Sequence, residues 1–138
     1  MARSLFEVEV LTPEGEVFRE EVEMVSTRTV VGSIGILAHH QPLLGVLEPT
    51  ELRLYRSEGD VVRFAQGEGY VQVSEGRALL LVQDAVRPED LDAADLRDRL
   101  GRSEEAEQAA EEGSEERRRA GRDRKRWQAF LQMAEGGG

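Results

Sequence analysis

The chain has 138 residues, which is enough for one domain or for one small domain with an appendage. Its 28 acidic and 18 basic side chains give a formal net charge of −10, which argues against a duplex-DNA binder, because such proteins neutralise phosphates with clustered basic residues. The absence of cysteine excludes disulfides, zinc–thiolate sites and cysteine nucleophiles, and no apolar run approaches the roughly 18 residues of a membrane span.

The first part of the chain has the pattern of short β-strands. Phe6–Val10 alternates between apolar and polar residues with period two, which is typical of a half-buried strand. Turn signals include Thr12–Gly15, Ser57–Asp60 and Ser74–Arg77, and along the whole segment turns recur about every 8–12 residues. The spacing predicts an all-β domain over residues 1–86, an antiparallel β-sandwich or flattened barrel of about eight to ten strands.

The composition changes sharply at Pro88. Every Val, Ile and Tyr lies in residues 1–86, whereas residues 87–138 are rich in Ala and Glu. Proline is favoured in the first turn of a helix, so the second part is predicted to be a helical hairpin over 87–138. We expect helices over 88–112 and 114–134, with Ser114 as an N-cap, and a disordered tail at Gly136–Gly138. Both helices have narrow apolar faces, so we expect the pair to dock weakly and to be able to leave the β domain.

The most distinctive segment spans residues 32–49. Gly32 and Gly35 indicate turn or bulge geometry. Adjacent residues of an extended chain point to opposite sides, so His39 and His40 are not expected to share a metal ion. No Lys-Ser/Thr follows the glycines, so the segment is not a phosphate loop. We expect its aliphatic residues to be buried: Leu43, Leu44, Val46 and Leu47.

Seven cations fall within ten residues of the second predicted helix. This basic cluster consists of Arg117, Arg118, Arg119, Arg122, Arg124, Lys125 and Arg126. One interpretation is a solvated face paired with glutamates of the preceding helix, namely Glu104, Glu105, Glu107, Glu111 and Glu112. A second is an electrostatic contact with an acidic partner. A third, RNA binding, is disfavoured by the acidity of the rest of the chain.

The segment over residues 32–49 also resembles the signature of the epsilon subunit of F-type ATP synthase. The matching positions are Gly32, Ile34, Gly35, Ile36, His40, Pro42, Leu43 and Leu44. Similar matches occur in Val8–Gly15 and in Gly69–Val73, and the resemblance covers the whole chain.

That resemblance implies a subunit that is not an enzyme. In the family, the β-sandwich sits on the foot of the rotating gamma subunit, against the loops of the c-ring, and couples proton-driven rotation to ATP synthesis. The helical hairpin extends along gamma and inhibits ATP hydrolysis. By this resemblance the c-ring and gamma contacts fall on Ser33, His40, Pro42 and Leu43. The basic cluster would meet acidic segments of the alpha/beta hexamer.

The resemblance also implies where the protein is found. We expect a bacterial protein that is peripheral to the cytoplasmic side of the cell membrane and reaches the membrane only through the complex. No nucleic acid is expected as a partner.

The chain departs from the family at several positions. Ser33 stands where the family commonly has an acidic residue. Ala38-His39 replaces the usual Pro-Gly or Pro-Asn, and Pro49-Thr50 replaces the usual Pro-Gly. Some members bind ATP through a motif that aligns with Leu91, Asp92 and Asp95, where the chain has an aspartate in place of the family's arginine. An anionic side chain repels a triphosphate, so no cofactor is expected.

Two other classes remain open. The first is an unrelated all-β interaction adaptor with a helical oligomerisation tail, which would not need the signature over residues 32–49. The second is a small-molecule enzyme with paired carboxylates, but acidic residues such as Glu7 and Glu9 occupy alternating strand positions that are typical of a solvated face.

Overall fold

The computed structural model describes residues 3–136, and the chain divides between Arg87 and Pro88 into two compact units. The strands of the first unit are β1 Phe6–Thr12, β2 Gly15–Val22, β3 Met24–Thr29, β4 Gly32–Leu37, β5 Leu43–Leu47, β6 Thr50–Ser57, β7 Asp60–Gln66, β8 Gly69–Ser74, β9 Arg77–Val82 and β10 Ala85–Val86. The second unit contains a 3₁₀ turn, Pro88–Asp90, and the helices α1 Ala93–Ala109 and α2 Glu115–Gly136. The predicted fold class, an all-β domain followed by a helical hairpin, is confirmed.

The strands form where the sequence alternates and end where glycine permits a reversal. In β1 the apolar residues Phe6, Val8 and Val10 are buried while the residues between them are partly exposed. Gly15 has φ +127° at the β1–β2 turn, and Gly76 has φ +73° at the β8–β9 turn. Both lie in the region that a side chain disfavours, so the predicted turns are confirmed with a steric reason for their glycines.

The sheet order is β10-β7-β6-β3-β5-β8-β9-β1-β2, with β4 paired to β3 beside this path. Every described strand pair is antiparallel except β1–β9, which runs parallel from Glu7 opposite Arg77 to Leu11 opposite Leu81. The antiparallel expectation therefore holds for the consecutive hairpins and fails for the one pair that joins the first and ninth strands.

Contacts between β2 and the β6–β7 hairpin curl this sheet into a flattened barrel. The rings of Phe18 and Phe64 meet edge to face with centroids 6.4 Å apart. On the surface, the Arg56 guanidinium donates two hydrogen bonds of 2.8 Å to the Glu20 carboxylate. The enclosed core is almost wholly apolar and takes alternate residues from strands β1 to β9.

One polar side chain, Gln66, lies fully buried beside this core. Its Oε1 accepts a 2.6 Å hydrogen bond from the Thr27 hydroxyl, and its Nε2 donates a 2.9 Å hydrogen bond to the Glu48 carbonyl oxygen. The amide thereby connects β7 to β3 and to the segment between β5 and β6. β5 pairs with β8 along its whole length but shares only the pair Thr29–Leu47 with β3, so this amide strengthens the weaker, β3 side of its attachment.

The helix boundaries differ from the expected ones. α1 begins at Ala93, five residues after the predicted start, because the Asp92 carboxylate accepts hydrogen bonds from the amides of Ala94 and Asp95 and caps the helix there. The predicted N-cap Ser114 is confirmed, since its Oγ accepts from the Arg117 amide at 3.1 Å. The predicted disordered tail was Gly136–Gly138, but Gly136 is the last residue of α2. The other two tail residues lie outside the described ones.

The interface between the two helices contains polar side chains. Arg124 donates a 2.6 Å hydrogen bond to Glu107, and both side chains are mostly shielded from solvent. A β-carbon at Gly121 would lie 3.0 Å from the Glu107 carboxylate, so the glycine allows this approach. Few apolar side chains of the hairpin are buried, in contrast to the core of the first unit.

Candidate functional site

A row of large apolar side chains crosses the outer face of the sheet. Val46 of β5 lies opposite Tyr70 of β8, which lies opposite Leu81 of β9. Leu44 lies two residues before Val46 and therefore points to the same face. These four residues are the outer apolar patch, with exposed fractions of 77% for Leu44, 46% for Val46, 57% for Tyr70 and 45% for Leu81.

The opposite end of the same face is charged. Glu7 of β1 lies opposite Arg77 of β9, and the two side chains form an ion pair of 3.0 Å. Arg19 of β2 lies 3.7 Å from the same Glu7 carboxylate. The ion-paired end is typical of a solvated surface, whereas the outer apolar patch exposes uncharged side chains to water.

The residues predicted to contact the c-ring and gamma differ in their exposure to solvent. Ser33 and Pro42 are exposed, and His40 is partly exposed, with Nδ1 2.7 Å from the Gln41 carbonyl oxygen. Leu43 points inward and packs against the core. Its neighbour Leu44 is the side chain that faces outward.

Two expectations for residues 32–49 are wrong in part. Leu44 and Val46 are exposed rather than buried, because β5 is a strand whose alternate residues face opposite sides. Gly32 has φ +134° in the β3–β4 turn, as expected, but Gly35 lies within β4 and has no positive φ.

The aligned ATP-motif positions carry helix-terminal roles. Asp92 is the N-cap of α1, and Asp95 accepts a 2.8 Å hydrogen bond from Arg99 one turn later. Leu91 donates its amide to the Pro88 carbonyl oxygen. Arg97, the nearest other cation, pairs with Glu135 of α2 at 2.9 Å. None of these contacts requires a nucleotide.

The basic cluster does not occupy one surface. Arg124 pairs with Glu107, while Arg117 donates to the Ala110 carbonyl oxygen at 3.3 Å. Arg126 is buried against the Trp127 ring, 4.5 Å from its centroid, and donates to Asp123 at 2.6 Å. The remaining members are the exposed basic set: Arg118, Arg119, Arg122 and Lys125.

Within the exposed basic set, Arg118 and Arg122 both pair with Glu115, at 3.0 and 3.3 Å. Hydrogen bonds from these two arginines hold the pKa of the Glu115 carboxyl below its ordinary value. Arg119 and Lys125 form no side-chain hydrogen bond or ion pair within residues 3–136. Among the residues that the structure describes, the predicted pairing with the preceding glutamates is found for Glu107 only.

In the part of the chain that the structure describes, no three His, Cys, Asp or Glu side chains cluster as a metal site would require. No helix between residues 3 and 136 is long and apolar enough to cross a membrane.

Sequence reasoning missed the outer apolar patch. The signal in the sequence was Tyr70, which falls out of phase with the buried Val71 and Val73 and is therefore placed on the solvent side of its strand.

Comparisons with known proteins agree on one family. The model of the family described as "ATP synthase, Delta/Epsilon chain, beta-sandwich domain" matches residues 5–88. ATP synthase epsilon chain 2 of Syntrophotalea carbinolica is 38% identical over 104 residues, which cover 75% of this chain and 74% of that relative. The epsilon chain of Halalkalibacterium halodurans is 36% identical over 114 residues, covering 82% and 84%.

Solved structures show the same fold. A chain in the structure of the Euglena gracilis mitochondrial ATP synthase, OSCP/F1/c-ring, has a TM-score of 0.76 at 19% identity and covers 94% of this chain and 81% of its own length. A chain in the central stalk and c-ring structure from Tetrahymena thermophila has a TM-score of 0.59 at 18% identity, with coverage of 99% and 98%.

Proposed function

The chain belongs to the delta/epsilon chain family of ATP synthase, as a non-catalytic central-stalk subunit, and we propose that it docks on the gamma subunit through its outer apolar patch. The observation that carries this proposal is the registered row of Val46, Tyr70 and Leu81 on the outer face of the sheet. Contiguous exposed apolar surface marks interaction sites on soluble domains, and tyrosine is enriched where proteins meet.

A charge placed in the patch tests this docking. We expect Leu44→Glu to weaken binding to purified gamma at least tenfold, because it would bury an unpaired carboxylate. Leu44 is 77% exposed, so the substitution should not disturb the core. Ser57→Glu, which adds the same charge at the exposed β6–β7 turn, is the matched control. Equal affinity of Leu44→Glu and the control for gamma would contradict the assignment.

We assign the c-ring side of the interface to the exposed β3–β4 turn and the loop that follows β4. Ser33, His40 and Pro42 present polar or uncharged groups there, and Leu43 supports the loop from inside. The family resemblance supports this assignment. It implies a peripheral position at the cytoplasmic side of the cell membrane, reached through the complex.

We also propose that the hairpin inhibits ATP hydrolysis by presenting the exposed basic set to acidic segments of the alpha/beta hexamer. Arg117, Arg124 and Arg126 already have partners within the hairpin, so they contribute to its structure. Two partly desolvated charge-assisted contacts of about 1 kcal/mol each would change the equilibrium constant between the two states of the hairpin by roughly 30-fold.

The exposed basic set can be tested in the assembled complex. We expect Arg122→Gln with Lys125→Gln to raise ATP hydrolysis several-fold while assembly remains intact. Removing two exposed arginines elsewhere, Arg63→Gln with Arg102→Gln, controls for net charge. Unchanged or lower hydrolysis in the first double variant would contradict an inhibitory contact and favour a role in solvation alone.

We further propose that the chain does not use ATP as a regulatory ligand. Asp95, paired with Arg99, occupies the position of the family's arginine, and Arg97 is engaged with Glu135. Neither arrangement leaves a cation directed at a triphosphate from the start of α1.

A further inference from the structure

Two ion pairs of the described residues join α1 to α2, and one of them is largely shielded from solvent. The side chains of Arg97 and Glu135 are 58% and 48% exposed, whereas those of Arg124 and Glu107 are 30% and 24% exposed. The Arg124 guanidinium donates to both oxygens of the Glu107 carboxylate, through Nε at 2.6 Å and through a terminal nitrogen at 3.4 Å. A contact with two such hydrogen bonds holds the arginine in one orientation.

The backbone of α2 leaves room for this shielded pair. Gly121 lies three residues before Arg124, inside a helix where glycine is less favourable than alanine. A β-carbon at this position would lie 3.0 Å from Oε2 of Glu107, so alanine would push the carboxylate away from α2. The glycine therefore weakens the helix but allows Glu107 to reach Arg124.

Arg124 lies at the margin of the exposed basic set. It directly precedes Lys125, which is exposed and forms no ion pair within residues 3–136. The side chain of Arg124 instead turns towards α1 and reaches Glu107. Glu104, one turn earlier on α1, is exposed and has no such partner among the described residues. Glu107 is therefore the acidic residue of α1 that withdraws a cation from the outer surface of α2.

We propose that Glu107 is an internal competitor for the inhibitory contact, because it holds Arg124 away from the acidic segments of the alpha/beta hexamer. This inference rests on the proposed inhibition and adds a regulation to it. An external carboxylate reaches Arg124 only by displacing Glu107, so the loss of the old ion pair offsets much of the gain from the new one. The difference between the two contacts sets how far the hairpin shifts towards its inhibitory state.

The two sides of the pair give different predictions for ATP hydrolysis by the assembled complex. Glu107→Ala leaves Arg124 without its carboxylate and free to bind the hexamer. Hydrolysis should therefore fall about fivefold, which is the change in an equilibrium constant that one charge-assisted contact produces. Arg124→Ala removes the cation, so hydrolysis should stay unchanged or rise, and the double variant should behave like Arg124→Ala. Glu104→Ala changes the net charge equally at an exposed position of α1 and is the matched control.

These variants separate competition from a structural role of the pair. Both single variants break the same link between the helices, so a purely structural role predicts the same direction for both. A fall in hydrolysis in both, or equal hydrolysis in Glu107→Ala and Glu104→Ala, would overturn the internal competition. The inhibition itself is tested by Arg122→Gln with Lys125→Gln. If that double variant raises hydrolysis, inhibition stands and only the competition fails. If it does not, both fail.

NMR of the full chain alone tests the pair without the hexamer. The Arg124 Nε–H donates to Glu107, so its proton should exchange slowly with water. Glu107→Ala should speed this exchange on the order of tenfold, whereas Glu104→Ala should not change it. Rapid exchange of the Arg124 Nε–H in the wild type would overturn the proposal, since Glu107 would then hold no cation away from the hexamer.

Discussion

Replacing Gln66 by leucine should destabilise the β unit and loosen β5. The side chain is fully buried, and both ends of its amide are hydrogen-bonded, to the Thr27 hydroxyl at 2.6 Å and to the Glu48 carbonyl at 2.9 Å. Leucine fills a similar volume but leaves that hydroxyl and that carbonyl without their partner. Each orphaned buried group costs about 1–3 kcal/mol, and the added apolar burial offsets part of the sum. We expect a net loss of about 2–4 kcal/mol.

The decisive measurement is a double-mutant cycle with Thr27→Val. Urea unfolding is followed through the NMR signals of residues 6–86, so that the helices do not dominate the signal. In the Thr27→Val background no hydroxyl is left unpaired, so Gln66→Leu should cost at least about 1 kcal/mol less than in the wild type. Additive effects within about 0.5 kcal/mol would refute the view that Gln66 and Thr27 act as one hydrogen-bonded unit. Because the amide also holds the segment after β5, Gln66→Leu should weaken gamma binding without touching an exposed residue.

The remaining predictions concern other parts of the chain. Gly69→Ala should cost more than about 2 kcal/mol in urea unfolding, because its β-carbon would lie 1.9 Å from the Leu81 carbonyl oxygen. The hydrogen bond from Arg56 lowers the pKa of Glu20 below its ordinary value of 4.5, so this pair stabilises the protein above that pH and loses its effect as the pH falls through the lowered value. The stability difference between wild type and Glu20→Gln should therefore shrink in acid. Millimolar ATP should leave the Tm unchanged, whereas saturation of a site 100-fold above its Kd would add about 2.7 kcal/mol. A chain ending at Arg87 should fold and bind gamma, and a disordered circular-dichroism spectrum would contradict the division into two units.

The sequence predicted the elements that depend on local patterns. The alternation in Phe6–Val10 and the turn glycines are read from adjacent residues, and both are found in the structure. The outward direction of Leu44 was not predicted, because an apolar run such as Leu43–Leu47 resembles a strand buried on both faces. Only the register with Tyr70 shows that one face remains open.

The helical unit was harder to predict for a different reason. Pro88 signals a helix start, but it begins a 3₁₀ turn, and the capping carboxylate of Asp92 sets the start of α1. The basic cluster looked uniform because charge alone does not distinguish an exposed arginine from Arg126, which is buried and lies against the ring of the adjacent Trp127. Such long side chains bury their stems and take their partners from the tertiary structure.

The two units differ in the chemistry of the surfaces that they offer. The β unit has a large apolar core and an uncharged exposed segment, and burial of apolar surface of this kind gives contacts that salt hardly affects. The hairpin buries few apolar side chains, and its helices are joined by the ion pairs Arg97–Glu135 and Arg124–Glu107. Ion pairs can be exchanged for other ion pairs at little net cost, because each charge finds an equivalent partner, and they are screened by salt. The same division of residues, with apolar side chains in residues 29–47 and charges after Pro88, supports the two proposed contacts: a permanent attachment through the sheet and a reversible contact through the helices.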